Sequence, residues 1–488
     1  MSEKEVGEKE PFENSNSDSL YNEQEIKLNT HKKGLILLII AIVIILIAVS
    51  ILLLFILSSD SEPSTKPEPK EDSEPVNLTN SVKALYYIEY PTNLTKIFHN
   101  SYINLIERLK IDKEFVEINN EVTFNDEGVH TIEIFFNTFL TSLDNLFYKV
   151  DTLNDVDLTN LVSKNIVSAS DIFNGCQNLI NVNFSQYYNK LTNISNMFTG
   201  CSELKSISLN VFTWDKLKDI YGLFMGCGQL STIYLNNFNT KNVVNMSNVF
   251  SGCSSLKELD LQNLVTNNVE DMSNMFYECS SLISLDLNNF NTKKVKHMSG
   301  MFDGCNSLKT ISLAKFDTQN VEDMYFMFAD CTKLTSLNIK SFKTDKVRDM
   351  FGMFKNCEEL EEIDISHFNI YNVIDMGDMF GNCTKLEKIN LANLNSENLV
   401  YMTGMFEKCS ALTSLDLSSF DTKNVVDARL MLNDCQKLKY LDVSKFNTSK
   451  LEYYDGIFNG LPEQGKIKYN SEIFNESIYE LLPNWESI

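Results

Sequence analysis

The chain has 488 residues and a formal net charge of −24, with 66 acidic residues against 42 basic ones. That balance excludes an ordinary nucleic-acid-binding protein, because phosphate binding needs clustered lysine and arginine. The eleven cysteines are never closer together than 25 residues, which excludes the short cysteine spacing of structural zinc sites.

The N-terminal region predicts a membrane anchor. Residues 1–33 are polar, acidic and poor in apolar side chains, as in a disordered tail. Residues 34–57 are 24 positions without a charge, and about 20 apolar residues span a bilayer as a helix. Lys32 and Lys33 precede this segment and acidic residues follow it. The positive-inside rule therefore predicts a cytoplasmic tail, a single-pass type II anchor in the plasma membrane and an extracellular repeat domain. A cleaved signal peptide is the alternative, although its apolar part is usually about 7–15 residues long.

A charged segment rich in proline and serine follows at residues 58–81, and it predicts an extended stalk. Asn77 and Asn93 begin N-x-T sequons. We expect both to be glycosylated if the chain passes through a glycosylating compartment. Chance is the alternative, because the chain is rich in Asn and Thr.

Residues 82–135 do not share the pattern of the rest of the chain. Apolar runs at 82–90, 109–118 and 129–136 predict strands. We interpret this region as a small β-rich cap on the first coil of the domain that follows, with a separate binding domain as the alternative.

Residues 136–461 form a tandem repeat marked by the cysteines. The first interval between successive cysteines is 25 residues and the other nine are all 26. These cysteines are Cys176, Cys201, Cys227, Cys253, Cys279, Cys305, Cys331, Cys357, Cys383, Cys409 and Cys435. Phe stands three residues before ten of the eleven, and Leu stands three residues after each of them. Val150 and Leu461 lie in phase just outside the series, so the stack has degenerate end units and about 12 units in all.

The hydrophobic period changes inside each unit. Apolar residues at seven, four, three and zero positions before the Cys predict one face of a short helix. Aliphatic residues six and eight positions after it predict a strand with one buried face. Asp or Asn eight positions before the Cys fits a helix N-cap, and Gly, Asn or Asp directly before it fits a left-handed helix end.

One such unit cannot bury its apolar face alone, so the pattern predicts an α/β repeat solenoid with a parallel sheet and short helices. Residues 462–488 are predicted to close it as a C-terminal cap. In this cap we expect a strand at 466–469, a helix at 471–482 and Trp485 packed at the end.

The run MSNMFYECSSLISLDLNNFNT at Met272–Thr292 resembles BspA-like leucine-rich repeats. It is especially similar to the 26-residue version, of unknown function, found in mycoplasma surface proteins. The resemblance covers about residues 143–461 and recurs in phase. It implies a leucine-rich-repeat horseshoe or rod displayed on a cell surface, where some members of the family bind host matrix proteins or other cells.

A cysteine series of this kind has three interpretations: metal or redox chemistry, disulfides between neighbouring coils, and small apolar core residues. Metal binding conflicts with the spacing. Stacked coils would bring equivalent Cα atoms within disulfide range, about 5 Å. We favour core thiols, because Val150 and Leu461 occupy the same position. No metal or cofactor is predicted, and the sequence lacks the common catalytic motifs, so we expect a binding protein and not an enzyme.

A polar column lies between the two buried strand aliphatics, seven positions after the Cys. Its side chains should point outward from the sheet, and they form our candidate binding surface. The candidate residues are Asp260, Asp286, Asn338, Asp364, Asn390, Asp416 and Asp442. A merely solvated face is the alternative.

These features together predict a membrane-anchored cell-surface protein that acts in adhesion or recognition through its exposed strand face. Its partner would be an unidentified protein or glycan. A structural surface coat and a receptor that signals through the short N-terminal tail are the alternatives, since a fold alone does not determine function.

Overall fold

The structure, a computed structural model, describes residues 80–184, 188–210 and 214–488. The predicted tail at 1–33, the predicted membrane segment at 34–57 and the sequon residue Asn77 lie outside these ranges, as does the stalk up to residue 79. Within the described ranges, no helix has both the length and the apolar character needed to cross a bilayer.

Antiparallel strands form the N-terminal part of the described chain. They are β1 (Ser81–Ile88), β2 (Thr92–Lys96), β3 (Ile106–Ile111), β4 (Glu114–Val116), β5 (Glu121–Phe124) and β6 (Gly128–Phe136), with a 3-10 helix at Asn100–Leu105. Strand β1 alternates buried and more exposed side chains, with Val82, Ala84 and Tyr86 in the core. It pairs with β6 on one side and with β7 (Leu153–Asp157) on the other. Because β7 belongs to the first repeat unit, this sheet joins the cap directly to the solenoid.

Short parallel strands recur through the repeats. They are β8 (Asn181–Asn183), β9 (Ser206–Ser208), β10 (Thr232–Tyr234), β11 (Ser284–Asp286), β12 (Thr310–Ser312), β13 (Glu362–Asp364), β14 (Lys388–Asn390), β15 (Ser414–Asp416) and β16 (Tyr440–Val443). Those that pair with each other are one repeat apart in register, as Leu285 and Ile311 are. The predicted parallel sheet is therefore present, but it is split into short groups of strands and not continuous.

The prediction of a short helix before each Cys is wrong. In its place, the residues before each Cys form a string of overlapping turns. In one unit the amides of Met301, Asp303 and Cys305 donate to the carbonyl three residues earlier. The amides between them donate to the next coil, as Phe302 N does to Met327 O at 2.9 Å. In an α-helix each of these amides would donate to the carbonyl four residues earlier. Here every second amide donates to a carbonyl of the next coil instead.

Left-handed residues explain why the helix does not form. The residues five positions and one position before the Cys have positive φ, as at Gly300 (58°), Gly304 (75°), Phe326 (54°) and Asp330 (54°). A left-handed residue every fourth position breaks a right-handed helix, at a cost of about 1–2 kcal/mol for a side chain with a Cβ. The predicted left-handed position before the Cys is thus confirmed, but it belongs to a turn and does not end a helix.

A ladder of parallel bridges runs beside the turns. It joins the residue eight positions before each Cys to its counterpart one coil away, from Ser142 to Tyr453. Where this residue is Asp or Asn, its side chain accepts from the amide two residues later, as Asp271 does from Ser273 N at 2.8 Å. Asp323 is the exception, because its carboxylate accepts from Ser299 N and contacts His297 in the preceding coil. We call this side of the solenoid, formed by the bridges and the turns, the turn face.

The core is built from columns of identical residues. The Phe rings three positions before each Cys stack from Phe147 to Phe406, and the rings of Phe328 and Phe354 have centroids 5.7 Å apart and planes 3° apart. All eleven cysteines are buried free thiols. Each Sγ donates to the carbonyl of a Phe in the preceding coil, as Cys305 does to Phe276 O at 3.2 Å. Burial raises the pKa of Cys279 to about 12, so this thiol stays protonated.

The C-terminal residues close the stack with β17 (Lys466–Tyr469), α1 (Glu476–Tyr479) and β18 (Glu486–Ser487). The strand predicted at 466–469 is present and pairs in parallel with β16. The predicted helix at 471–482 is reduced to α1, which starts only at its N-cap Asn475. Trp485 is buried, and its Nε1 donates to the Pro462 carbonyl at 3.0 Å.

Candidate functional site

The predicted binding column lies where the sequence placed it, on the outer side of the short parallel strands, which we call the strand face. Six of the seven residues are exposed there: Asp260, Asp286, Asn338, Asp364, Asn390 and Asp416. Parallel strands lie about 4.8 Å apart, so the column presents one polar side chain per coil along the stack.

Asp442 departs from the prediction, because it is only 4% exposed. Strand β17 of the cap places Lys468 opposite Asp442 in register, and the Lys468 Nζ lies 2.8 Å from a carboxylate oxygen. The amide of Ser444 donates to the other oxygen at 3.0 Å. The last member of the column is thus covered by the cap and is not available to a ligand.

Local structure explains much of the preference for Asp and Asn in the column. In each case a side-chain oxygen accepts from the backbone amide two residues later, as Asp286 does from Asn288 N and Asp416 does from Ser418 N. This bond turns the chain away from the strand. At Asp364, bonds from the Ser366 hydroxyl and amide lower the pKa of the carboxyl group. One oxygen of each side chain therefore accepts the hydrogen bond that stabilises the turn. In Asp286 and Asp416 the second carboxylate oxygen remains on the surface.

Open grooves run along the strand face, four of them with volumes of about 370 to 550 Å³. Asp286 and Asn338 line one groove, Asn338 also borders a second with Asp364, and Asn390 and Asp416 border a third. All four lie over the short strands and the residues that directly follow them. The structure thus brings five predicted residues to the edges of grooves, whereas Asp260 lines none of the four.

The fourth groove lies between β8, β9 and β10 and includes Asn183, Ser206 and the exposed ring of Tyr234. Tyr234 stands seven residues after Cys227, so the repeat places it in the same column as the seven candidates, although it is neither an acid nor an amide. Asn183 stands seven residues after Cys176, and the same spacing could have found it. Ser206 stands five residues after Cys201, in the outward column beside this one.

Other candidate chemistry is limited in the described part of the chain. No group of three or more His, Cys, Asp or Glu residues there is arranged to hold a metal ion. The sequon residue Asn93 falls within β2, and its side chain is outside the described part.

The comparison with protein families shows which family this chain is related to. The profile described as "Mycoplasma protein of unknown function, DUF285" matches residues 141–232, 192–310, 282–389 and 357–471. The chain belongs to this family. The DUF285 match and the observed repeat stack together make it a BspA-like leucine-rich-repeat protein, a β-solenoid of about 12 turns.

Three of the solved structures that are similar to this DUF285 chain are of bacterial proteins. A leucine-rich repeat protein from Bacteroides ovatus is 15% identical over 81% of this chain and 98% of its own, with a TM-score of 0.42. The T. pallidum leucine-rich repeat protein is 22% identical over 35% of this chain and 72% of its own, with a TM-score of 0.26. The functional domain of InlJ from Listeria monocytogenes, whose structure includes a cysteine ladder, is 12% identical over 76% of each chain, with a TM-score of 0.18. A search of curated proteins gave no match.

Proposed function

We propose that this DUF285 chain is a membrane-anchored cell-surface protein whose strand face binds a protein or glycan in adhesion or recognition. Leucine-rich-repeat solenoids typically serve as non-enzymatic binding scaffolds. The observation that carries the proposal is the row of open grooves along the strand face, each bordered by members of one polar column. Anchoring would come from residues 34–57, which have the length and composition of a membrane-spanning helix.

The two faces of the solenoid differ in how many of their backbone groups form hydrogen bonds between coils. On the turn face, amides and carbonyls of neighbouring coils are bonded to each other, as Gly304 N is to Ala329 O at 3.0 Å. On the strand face the ladder is interrupted, since residues 258–260 and 336–338 are not part of a strand. The strand face therefore offers both side chains and backbone groups to a ligand.

The strand face contains few aromatic or arginine side chains, which usually anchor tight interfaces. We therefore expect weak contacts repeated over several coils, so that affinity comes from multivalency. The net charge of −24 favours neutral or cationic partners over nucleic acid.

The test uses beads coated with the full-length chain and measures their attachment to animal cells and to purified matrix proteins. Ser284 and Ser414 are exposed strand residues whose side chains take no part in the turns. The Ser284→Arg/Ser414→Arg variant should lower attachment at least about tenfold, because two bulky cations enter the strand face. Ser449→Arg is the matched control, since Ser449 is an exposed serine of a return loop. Attachment that is equally strong in both variants, or absent from the wild-type chain, would contradict the proposal.

A further inference from the structure

The groove between β8, β9 and β10 differs in charge from the other three on the strand face. Its volume is about 370 Å³, and among the described residues no Asp, Glu, Lys or Arg lines it. The other three contain charged residues, such as Asp286, Asp416 or Lys388. In a chain with 22% charged residues, this groove is suited to a ligand without formal charge.

An aromatic ring stands at one end of the groove. Tyr234 is 51% exposed although it lies in a strand, because its side chain points outward between the buried Ile233 and Leu235. Exposed tyrosine gives a large, rigid contact surface that loses little conformational entropy when it is covered. Its ring offers an apolar face, and its hydroxyl can both donate and accept a hydrogen bond.

Polar groups beside the ring are not used by the fold. The side-chain amide of Asn183 and the hydroxyls of Ser206 and Tyr234 have no hydrogen-bond partner among the described residues. This distinguishes Asn183 from Asp286 and Asp416, whose side chains accept from the turn that follows them. The amide supplies two donors and an acceptor, and each hydroxyl supplies a donor and an acceptor.

We propose that this groove binds a neutral saccharide, with Tyr234 stacked against a sugar ring and Asn183 and Ser206 bonded to sugar hydroxyls. A sugar has an apolar C–H face, which can stack on the tyrosine ring. Its hydroxyls need hydrogen-bond donors and acceptors, which the amide and hydroxyl side chains of the groove supply. Asp155 and Asp157 lie in the adjacent strand β7 and disfavour an acidic ligand. The two strand spacings from β8 to β10 give a length of roughly 10 Å, which suits a short oligosaccharide. This inference rests on the proposed function of the strand face and names a ligand class for one part of it.

The experiment titrates the full-length chain with the neutral tetrasaccharides cellotetraose, maltotetraose and chitotetraose, using saturation-transfer NMR and calorimetry. We expect at least one of them to bind. Tyr234→Ala should then weaken binding at least about tenfold and Tyr234→Phe by less than about threefold, since stacking needs only the ring. Tyr325→Ala is the matched control, because Tyr325 is 42% exposed on the turn face, and it should leave binding unchanged.

Three results would overturn the saccharide inference. They are no binding of any of the three neutral sugars, binding that Tyr234→Ala does not weaken, and a tighter response to tetragalacturonate than to the neutral sugars. If beads still attach to cells in a manner that Ser284→Arg/Ser414→Arg abolishes, the strand face binds another class of ligand and only the saccharide inference fails. If that attachment fails as well, the proposed function fails with it.

Discussion

Buried threonines connect neighbouring coils at the scale of single residues. Thr292 is 1% exposed, and its Oγ1 donates to Asp317 O at 3.0 Å and accepts from Asp317 N at 2.8 Å. Thr240, Thr266, Thr318 and Thr344 repeat this pair of bonds in their own coils. Each hydroxyl therefore satisfies a backbone amide and a carbonyl in the return loop of the next coil.

Replacing Thr292 by Val should destabilise the chain by about 1–3 kcal/mol, because the shape is kept while a buried amide and carbonyl lose their partner. The measurement is the urea midpoint of the full-length chain. Thr413→Val is the control at an exposed threonine and should change the free energy of unfolding by less than about 0.5 kcal/mol. Equal effects at the two sites would show that the Thr292 hydroxyl bonds do not support the stack.

The sequence predicted, for most of the repeated positions, whether the side chain is buried or exposed. It placed the cysteines, phenylalanines and strand aliphatics in the core and put Asp286 and Asp364 on the surface, because these assignments follow from the repeat period alone. It could not predict that Asp442 is covered, since that depends on which cap residue lies opposite in register. Nor could the period show that the same carboxylates shape the turns, which is a matter of local backbone geometry.

At the scale of one coil, the turn segment is where the sequence interpretation failed. Apolar residues seven, four and three positions before the Cys fit a helical face, but they also fit turns that repeat every four residues. The discriminating signal was the residue five positions before the Cys, which is often Gly, Asn or Asp and has positive φ in the structure, as at Gly300 and Asn274. With a second such residue directly before the Cys, left-handed conformations recur too often for a helix.

Two substitutions distinguish a helix from a string of turns by the sign of their effect on the free energy of unfolding. Gly300 lies five positions before Cys305, inside the predicted helix, and has φ +58°; an added Cβ there would meet the Asn274 side-chain oxygen. Gly300→Ala should therefore destabilise the chain by about 1–2 kcal/mol. Asn248 occupies the same position with φ +59°, and Asn248→Gly should stabilise the chain by up to about 0.5 kcal/mol. Chemical unfolding of the full-length variants provides the measurement.

A helix would give the opposite signs, because Ala is preferred over Gly inside a helix by about 1 kcal/mol. Stabilisation by Gly300→Ala together with destabilisation by Asn248→Gly would thus restore the helical interpretation. Gly228→Ala serves as a control, since Gly228 has an ordinary φ and its nearest contact to an added Cβ is 3.7 Å away.

At the scale of the whole molecule, the described residues form one continuous core from the antiparallel N-terminal strands to Trp485. Both ends of the stack are covered by atypical sequence, as solenoids require. The two sides of the coil have different roles: the turn face holds the coils together through its backbone, whereas the strand face carries the grooves. A surface binding protein needs such a division, because the ligand side can vary without loosening the stack.

Display at the cell surface is the condition on which adhesion or recognition depends, and mild protease treatment of intact cells tests it most directly. The tail at 1–33 and the repeats at 136–461 are detected separately, before and after treatment, with a cytoplasmic protein as the control for intact membranes. We expect the protease to remove the repeats while the tail survives on a short membrane-bound fragment. Repeats that resist the protease until the cells are opened, although digested promptly afterwards, would contradict it and place the binding face away from the cell surface.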